Sequence, residues 1–414
     1  MRRCSFVIIP VLLVWPALVW PGGASAQRED VLRFEPTPTL TVFRTEHYRI
    51  FTNLSKAETI PFGRHMDALF EQYERRFRGL GDQPIERMPL YLFETEQQYD
   101  RFLQEHDIDA SHSGGMFFVT HRLHGLATWT DARSRRKTFE VLQHEGFHQF
   151  AWHAIGPSLP VWLNEGLAQY FEQAVLDEDG RMTLGLTSRP RIERVRLALQ
   201  QNDALPIDTL TRVTAAQWAG VLRRSPECAN LLYAQSWSLA YFLIHGEDGK
   251  HQPALIDYLK QLSRGERADD AYFMAFGSDG LQSLAEQWRA FALTQRADDV
   301  AEASERLAFL GTGLRLLFEQ DETMPKDLDA LRATLQRFGF TLRRSEMGVT
   351  RRFSADQSAM YRYSRDRGER PFQMLAPSRS DLPPRITAPG LDPEPTLTWS
   401  RDSEGNLVQD IAYD

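Results

Sequence analysis

Cysteine is scarce in this chain: two in 414 residues, Cys4 and Cys228. That excludes a disulfide scaffold, so the core must be held by burial and, where the residues allow it, by a metal. Positive charge is not in excess either. The formal net charge is −8, and binding nucleic acid needs a basic footprint. The one dense basic run, Arg133 to Lys137, reads as the solvated start of a helix. Beyond residue 26 no stretch of eighteen apolar residues occurs, so no membrane-spanning helix is expected in the body of the chain. No internal repeat is visible.

What is present begins with a distinct N-terminus. Arg2 and Arg3 precede an apolar run from Phe6 to Trp20, which closes on Ala24-Ser25-Ala26. A positive start, an apolar middle and a small-x-small end form the pattern of a secretory signal peptide, cut after Ala26. A retained anchor is the alternative, but the run is short and holds Pro10 and Pro16. The expectation is an exported protein, periplasmic or extracellular, with no stable membrane insertion after cleavage. Losing Arg2 and Arg3 takes the charge from −8 to −10. Cys4 departs with this segment, and Cys228 is expected as a small buried hydrophobe.

The rest divides by pattern. Residues 27–135 read as an α+β part: strands near His47–Thr52, Met88–Phe93, Gly115–Thr120 and Gly125–Trp129, with a long amphipathic helix at Lys56–Leu80. A short helix opens at Thr95, with Gln98 in capping-box spacing. Residues 136–298 read as a helical half, beginning with a helix over Lys137–His153 and a second one from Pro160. A helical hairpin is expected over 299–345, and a small β or partly disordered region over 346–414.

The stretch His144-Glu145-Gly146-Phe147-His148 carries chemistry. Residues four apart on a helix share a face, so His144 and His148 can offer two imidazoles to one ion. Glu145 sits where a carboxylate reaches a metal-bound water. Glu165, on the next helix in Trp162-Leu163-Asn164-Glu165-Gly166, is a candidate third ligand. Two His, one Glu and an open fourth position make a catalytic Zn2+ site, one ion per chain. Glu145 would then act as general base and acid. Gly146 is out of place in a helix interior and suggests close approach by substrate or a neighbouring strand.

These residues resemble the gluzincin zinc peptidases. Trp162-Leu163-Asn164-Glu165-Gly166-Leu167-Ala168 is similar to the second motif of the aminopeptidases of that group. The wider pattern, from His47-Tyr48 to Tyr233-Ala234-Gln235-Ser236, is similar to exported bacterial peptidase-MA-like proteins of unknown function. It covers about residues 45 to 295 and is loose outside the zinc motifs. The resemblance implies an α+β zincin-like domain of two halves with a cleft between them. It also implies His144, His148 and Glu165 as zinc ligands and Glu145 as catalytic acid/base. Two departures stand out. Gln169 occupies the place where thermolysin-like enzymes carry an Asp that orients a zinc-bound His. Gly114-Gly115-Met116-Phe117-Phe118 lacks the Glu with which the aminopeptidases capture the substrate amine.

Secondary candidates follow. Gly115, Met116 and Phe117 lie on a strand that could pair with an extended substrate, or simply belong to the core. Tyr233 is a candidate donor to the oxyanion, with core packing as the alternative. Asn164 could orient Glu165 or the substrate, or cap its helix. The expected activity is zinc-dependent peptide-bond hydrolysis on a peptide or protein substrate. The alternatives are a non-catalytic zincin-fold binding protein, against which the intact Glu145 argues, and a zinc amidase acting on cell-wall peptides.

Overall fold

The computed structural model of the chain describes residues 39–414 apart from 81–84, 110–113, 132, 278–279 and 367. The expected signal peptide and its Cys4 lie outside the described residues.

The fold is α+β with a mixed sheet. Strands β1 (Thr41–Arg44) and β2 (Tyr48–Thr52) pair antiparallel. Helix α1 (Lys56–Arg76) returns the chain so that β3 (Met88–Phe93) runs parallel to β2. Helix α2 (Glu96–Glu105) then leads to β4 (Gly115–Val119) and β5 (His124–Trp129). β5 lies parallel to β3, and β4 closes the sheet antiparallel to β5, giving the order β1-β2-β3-β5-β4. Every residue of β3, Met-Pro-Leu-Tyr-Leu-Phe, is buried, as a parallel strand covered on both faces requires. Leu90, Leu92 and Leu126 meet α1 on one face. Tyr91, Phe93, Met116 and Phe118 meet Tyr99 and Phe102 of α2 on the other. The Thr95–Gln98 capping box forms as expected.

Helix α3 (Arg135–Ala154) carries the His motif, and α4 (Val161–Glu172) follows. A small β6–β7 hairpin (Val175–Leu176, Met182–Thr183) precedes α5 (Arg189–Gln201), α6 (Ile207–Thr211), α7 (Ala215–Arg224) and α8 (Pro226–His245). Then come α9 (Gln252–Ser263), α10 (Ala268–Phe276) and α11 (Gly280–Thr294). The short helices α6, α7 and α10 were not expected from the sequence. Cys228 is half-buried in the first turn of α8, not in the core.

Helices α12 (Asp299–Glu319) and α13 (Leu328–Arg337) precede two hairpins, β8 (Thr341–Glu346) with β9 (Val349–Ser354) and β10 (Arg362–Arg365) with β11 (Gly368–Pro371). A four-stranded sheet ends the chain: β12 (Gln373–Leu375), β13 (Arg385–Thr387), β14 (Pro395–Arg401) and β15 (Leu407–Tyr413). Leu310, Leu314 and Leu335 from the helices share one core with Phe353, Ile386 and Leu397 from the strands.

This C-terminal unit is fastened to the start of α3. The Asp410 carboxylate accepts from the Arg136 N–H at 3.1 Å, and the Arg136 guanidinium lies over the Tyr413 ring at 5.5 Å. Arg136 also donates to Ala174 O, and Arg133 sits on Trp129 at 3.5 Å. The basic run is therefore only in part the solvated helix start its composition suggested: Arg135 and Lys137 are exposed, while Arg133 and Arg136 lay their guanidinium groups on rings and carbonyls, and Arg136 joins the two units.

Candidate metal centre

Three close packings fix the geometry of the site. Ser134 caps α3 by accepting from the Lys137 N–H at 3.1 Å. Gly146 lets α1 approach: a Cβ there would stand 3.1 Å from Met66 Cε and 3.5 Å from the Tyr73 hydroxyl. A helix, then, occupies the space expected for substrate or a strand. Gly166 does the same for α8, since a Cβ there would lie 2.5 Å from the Ser236 carbonyl oxygen. With α4 pressed between α3 and α8, Glu165 is carried to the His-bearing face of α3.

His144, His148 and Glu165 converge. One ligand atom of each lies within 4.8 Å of the others, and the group could hold a metal ion. His144 Nε2 stands 3.5 Å from Glu165 Oε2, and His148 Nε2 stands 3.5 Å from Glu165 Oε1. The two rings meet edge to face, with centroids 4.9 Å apart. Exposure is 6 % at His144, 7 % at His148 and 0 % at Glu165. His148 Nε2 and both Glu165 oxygens make no hydrogen bond. A buried carboxylate without donors is costly unless a cation meets it.

The outer ring nitrogens are held. His144 Nδ1 lies 3.2 Å from Glu172 Oε2, and His148 Nδ1 lies 3.0 Å from Asn164 Oδ1. Glu172 in turn accepts from Arg191 through both oxygens at 3.0 Å. The Arg191 Nε–H donates to Gln169 Oε1 at 2.7 Å, and Gln169 donates to Tyr233 O at 3.1 Å. Such partners orient the ligating nitrogens inward. Gln169 does not touch a histidine. Glu172, one further turn along α4, orients His144 in its place. It stands seven residues after Glu165, two turns along the same face, and that spacing was the signal in the sequence. Arg191 gave none, because its partners Gln169 and Glu172 lie on a different helix.

Electrostatics follow the burial. Desolvation disfavours a charge on His144, but the Glu165 and Glu172 carboxylates outweigh it and lift its pKa to about 10. Burial lowers that of His148, with Glu165 opposing. Burial raises Glu145 to about 7, against the pull of His144 and the Phe117 N–H. Glu172 is opposed by burial yet drawn down to about 2 by Arg191 and His144.

Glu145 sits between the histidines and the sheet. Its Oε2 accepts from the Phe117 N–H at 2.8 Å. That bond points away from β5, because β4 is the edge strand. By alternation the main chain of Gly115 and Val119 turns the same way as that of Phe117, with Gly115 buried against Val141, while Met116 turns its main chain toward β5 and buries its side chain. Of the three candidates on this strand, Phe117 touches the site through its N–H, whereas Gly115 and Met116 are buried. Tyr233, in α8, is buried, and desolvation followed by the Glu165 charge pushes its hydroxyl well above the usual tyrosine range. Its ring meets Trp218 edge-on at 5.2 Å. Asn164 bonds His148, whereas the cap of α4 is Pro160, which makes no side-chain cap. Trp162 is buried, and Trp152 is half-buried beside Phe117.

The class defined by this geometry is a buried two-histidine, one-carboxylate cluster able to hold a cation, with a further carboxylate held beside it by the edge strand of the sheet. Residues 138–268, from the first turns of α3 to the start of α10, match the model of a family described as a protein of unknown function (DUF1570). No curated protein matches the chain.

Proposed function

We propose that this chain is an exported, zinc-dependent peptide-bond hydrolase of gluzincin type. One observation carries the reading: Glu165 is completely buried, and its two oxygens face the Nε2 atoms of His144 and His148 at 3.5 Å each, in a group whose ligand atoms could share one ion. Two ligands about 2.1 Å from one ion at tetrahedral angles stand roughly 3.4 Å apart. The 3.5 Å separations of Glu165 from His144 and from His148 fit that spacing. The set of two imidazoles and one carboxylate, with room for a fourth ligand, favours zinc over the all-oxygen sites of calcium or magnesium.

Bound zinc would supply Lewis acidity and a water acidic enough to ionise near neutral pH. The chain's own residues would do the rest. Glu145, held by the Phe117 N–H, takes the proton from the attacking water and delivers it to the leaving amine. The Tyr233 hydroxyl, kept protonated by its burial, would donate to a developing oxyanion. Asn164 and Glu172 hold the imidazoles in the tautomer whose inward nitrogen is free to ligate.

The test uses the full mature chain. We expect one zinc per chain by elemental analysis and cleavage within a mixed peptide library. Glu145→Gln should keep the metal and lose roughly 10²–10⁴-fold in turnover. A zinc-loaded chain that cleaves neither peptides nor muropeptides would instead be a binding protein. Cleavage of muropeptides alone would make it an amidase.

A further inference from the structure

The C-terminal unit meets two helices that serve the metal centre: β15 packs against α3, and β9 against α5. Helix α3 carries His144 and His148. Helix α5 carries Arg191, whose guanidinium holds Glu172, the carboxylate beside His144 Nδ1. The proposed chemistry gives the C-terminal unit no part, yet its ion pairs gather at the end of α5 where Arg191 stands.

That end is poorly secured by its own sequence. Ser188, the N-cap, makes no side-chain bond to the helix, and the first turn holds no acidic residue. It holds Arg189 and Arg191 instead, two cations where the helix dipole favours anions. The anions come from other elements. Glu172 of α4 meets Arg191 at 3.0 Å. Glu305 of α12 meets Arg189 at 3.5 Å. Arg351 of β9 joins Glu305 and, at 3.5 Å, Glu193, which accepts from Arg189 at 2.9 Å. Arg189, Glu193, Arg351 and Glu305 thus alternate in sign around a closed ring, two from each unit.

The same dependence recurs one residue before Ser188. The Asp298 carboxylate caps α12 through the Ala301 N–H. It also accepts from the Thr187 N–H at 2.7 Å and from the Thr187 hydroxyl at 2.8 Å. That hydroxyl accepts in return from the Asp298 N–H at 2.8 Å. The start of α5 is bound in this way to the start of α12. The side chains of Glu305 and Arg351 are only 11 % and 12 % exposed. Solvent screens such pairs less than surface ones, and a network fixes geometry where an isolated pair does not.

We propose that the C-terminal unit is a working part of the metal centre. Glu305 and Arg351 are positioning residues: they fix the first turn of α5, which sets Arg191 on Glu172 and Glu172 on His144. The proposal rests on the metal reading of the site. The test uses the full mature chain and measures zinc affinity by competition with a chelating dye. Glu172→Gln should weaken zinc binding by about 10–100-fold. Glu305→Ala should weaken it by about 3–10-fold, with the far-UV circular dichroism unchanged. The double variant should bind no more weakly than Glu172→Gln alone, because the effect of Glu305 passes through Glu172. Arg351→Met should repeat the Glu305→Ala loss, and Arg351→Lys should recover most of it. With Co2+ in place of zinc, the visible absorption, which follows ligand geometry, should shift in Glu172→Gln and in Glu305→Ala. Asp410→Ala loosens the other joint between the units and leaves α5 alone, so it should keep both affinity and spectrum. Affinity and spectrum that ignore Glu305→Ala and Arg351→Met, losses that multiply in the double variant, or an equal loss in Asp410→Ala would overturn the proposal and leave the metal reading standing. An unsubstituted chain that binds no zinc would overturn both.

Discussion

The unit spanning α1 to α11 and the unit spanning α12 to β15 treat buried polarity differently. In the first, buried atoms without a hydrogen bond include His148 Nε2 and both Glu165 oxygens, all turned to one point. In the second, the only such atoms among the described residues are two Arg351 nitrogens, and both lie in ion pairs, with Glu193 and Glu305. A fold that only has to be stable satisfies its interior, as the second unit does. The Glu165 oxygens also lie in ion pairs, with His144 and His148, but there the ligand atoms of three residues gather close enough to share one ion, which no group in the second unit does among the described residues. The contrast marks the first unit as the one with chemistry and the second as the one that frames it.

The largest effect that could break this contrast is metal removal. A metal held only by the folded state at a thousand times its dissociation constant adds about 4 kcal/mol of stability. Calorimetry with and without a chelator should therefore shift the unfolding of the first unit and leave that of the second in place. A profile that ignores the chelator would remove the distinction between the units.

A smaller effect sharpens it. Asn164→Ala deletes the acceptor for His148 Nδ1 and touches neither unit's core. Metal affinity should fall by 10–100-fold, about 1.4–2.7 kcal/mol, as measured by competition with a chelating dye. Unchanged affinity would mean that His148 is oriented by packing alone.

How much of this was legible in the sequence depended on the range of the interaction. His144, Glu145 and His148 share one helix, and Glu165 follows a short loop, so local periodicity was enough to gather them. Glu172 was legible in principle, two turns beyond Glu165. Strand β3 announced itself as an unbroken apolar run, and the Thr95–Gln98 box fixed the start of α2. Tertiary approach was not legible. Gly146 admits Met66 from a helix some eighty residues earlier, and Gly166 admits the Ser236 backbone seventy residues later. The edge position of β4 follows from sheet order, which no local pattern states. Helix α6, with five residues, is too short for a periodic stripe, whereas α7 opens on a Thr214–Gln217 capping box like that of α2 and was legible in principle. In the basic run, Arg135 and Lys137 are exposed as a solvated helix start implies, but Arg136 departs from it because its partners, Asp410 and Tyr413, stand at the far end of the chain.

The smallest effect tests that last joint. The first turn of α3 holds Arg135, Arg136 and Lys137 and no acidic residue. Cations there oppose the helix dipole, and an anion is favoured. Asp410 brings one from β15 and accepts the Arg136 N–H, as an N-terminal cap from the helix's own sequence would. Asp410→Ala should cost about 1 kcal/mol, the value of a lost cap. Asp410→Asn, which keeps an acceptor and drops the charge, should cost less. Because the bond joins the two units, the loss should also widen the gap between their unfolding transitions in calorimetry, with zinc content unchanged. If both variants melt like the unsubstituted chain, the C-terminal unit rests on α3 through Tyr413 packing, and the start of the motif helix does not depend on charge supplied from the second unit.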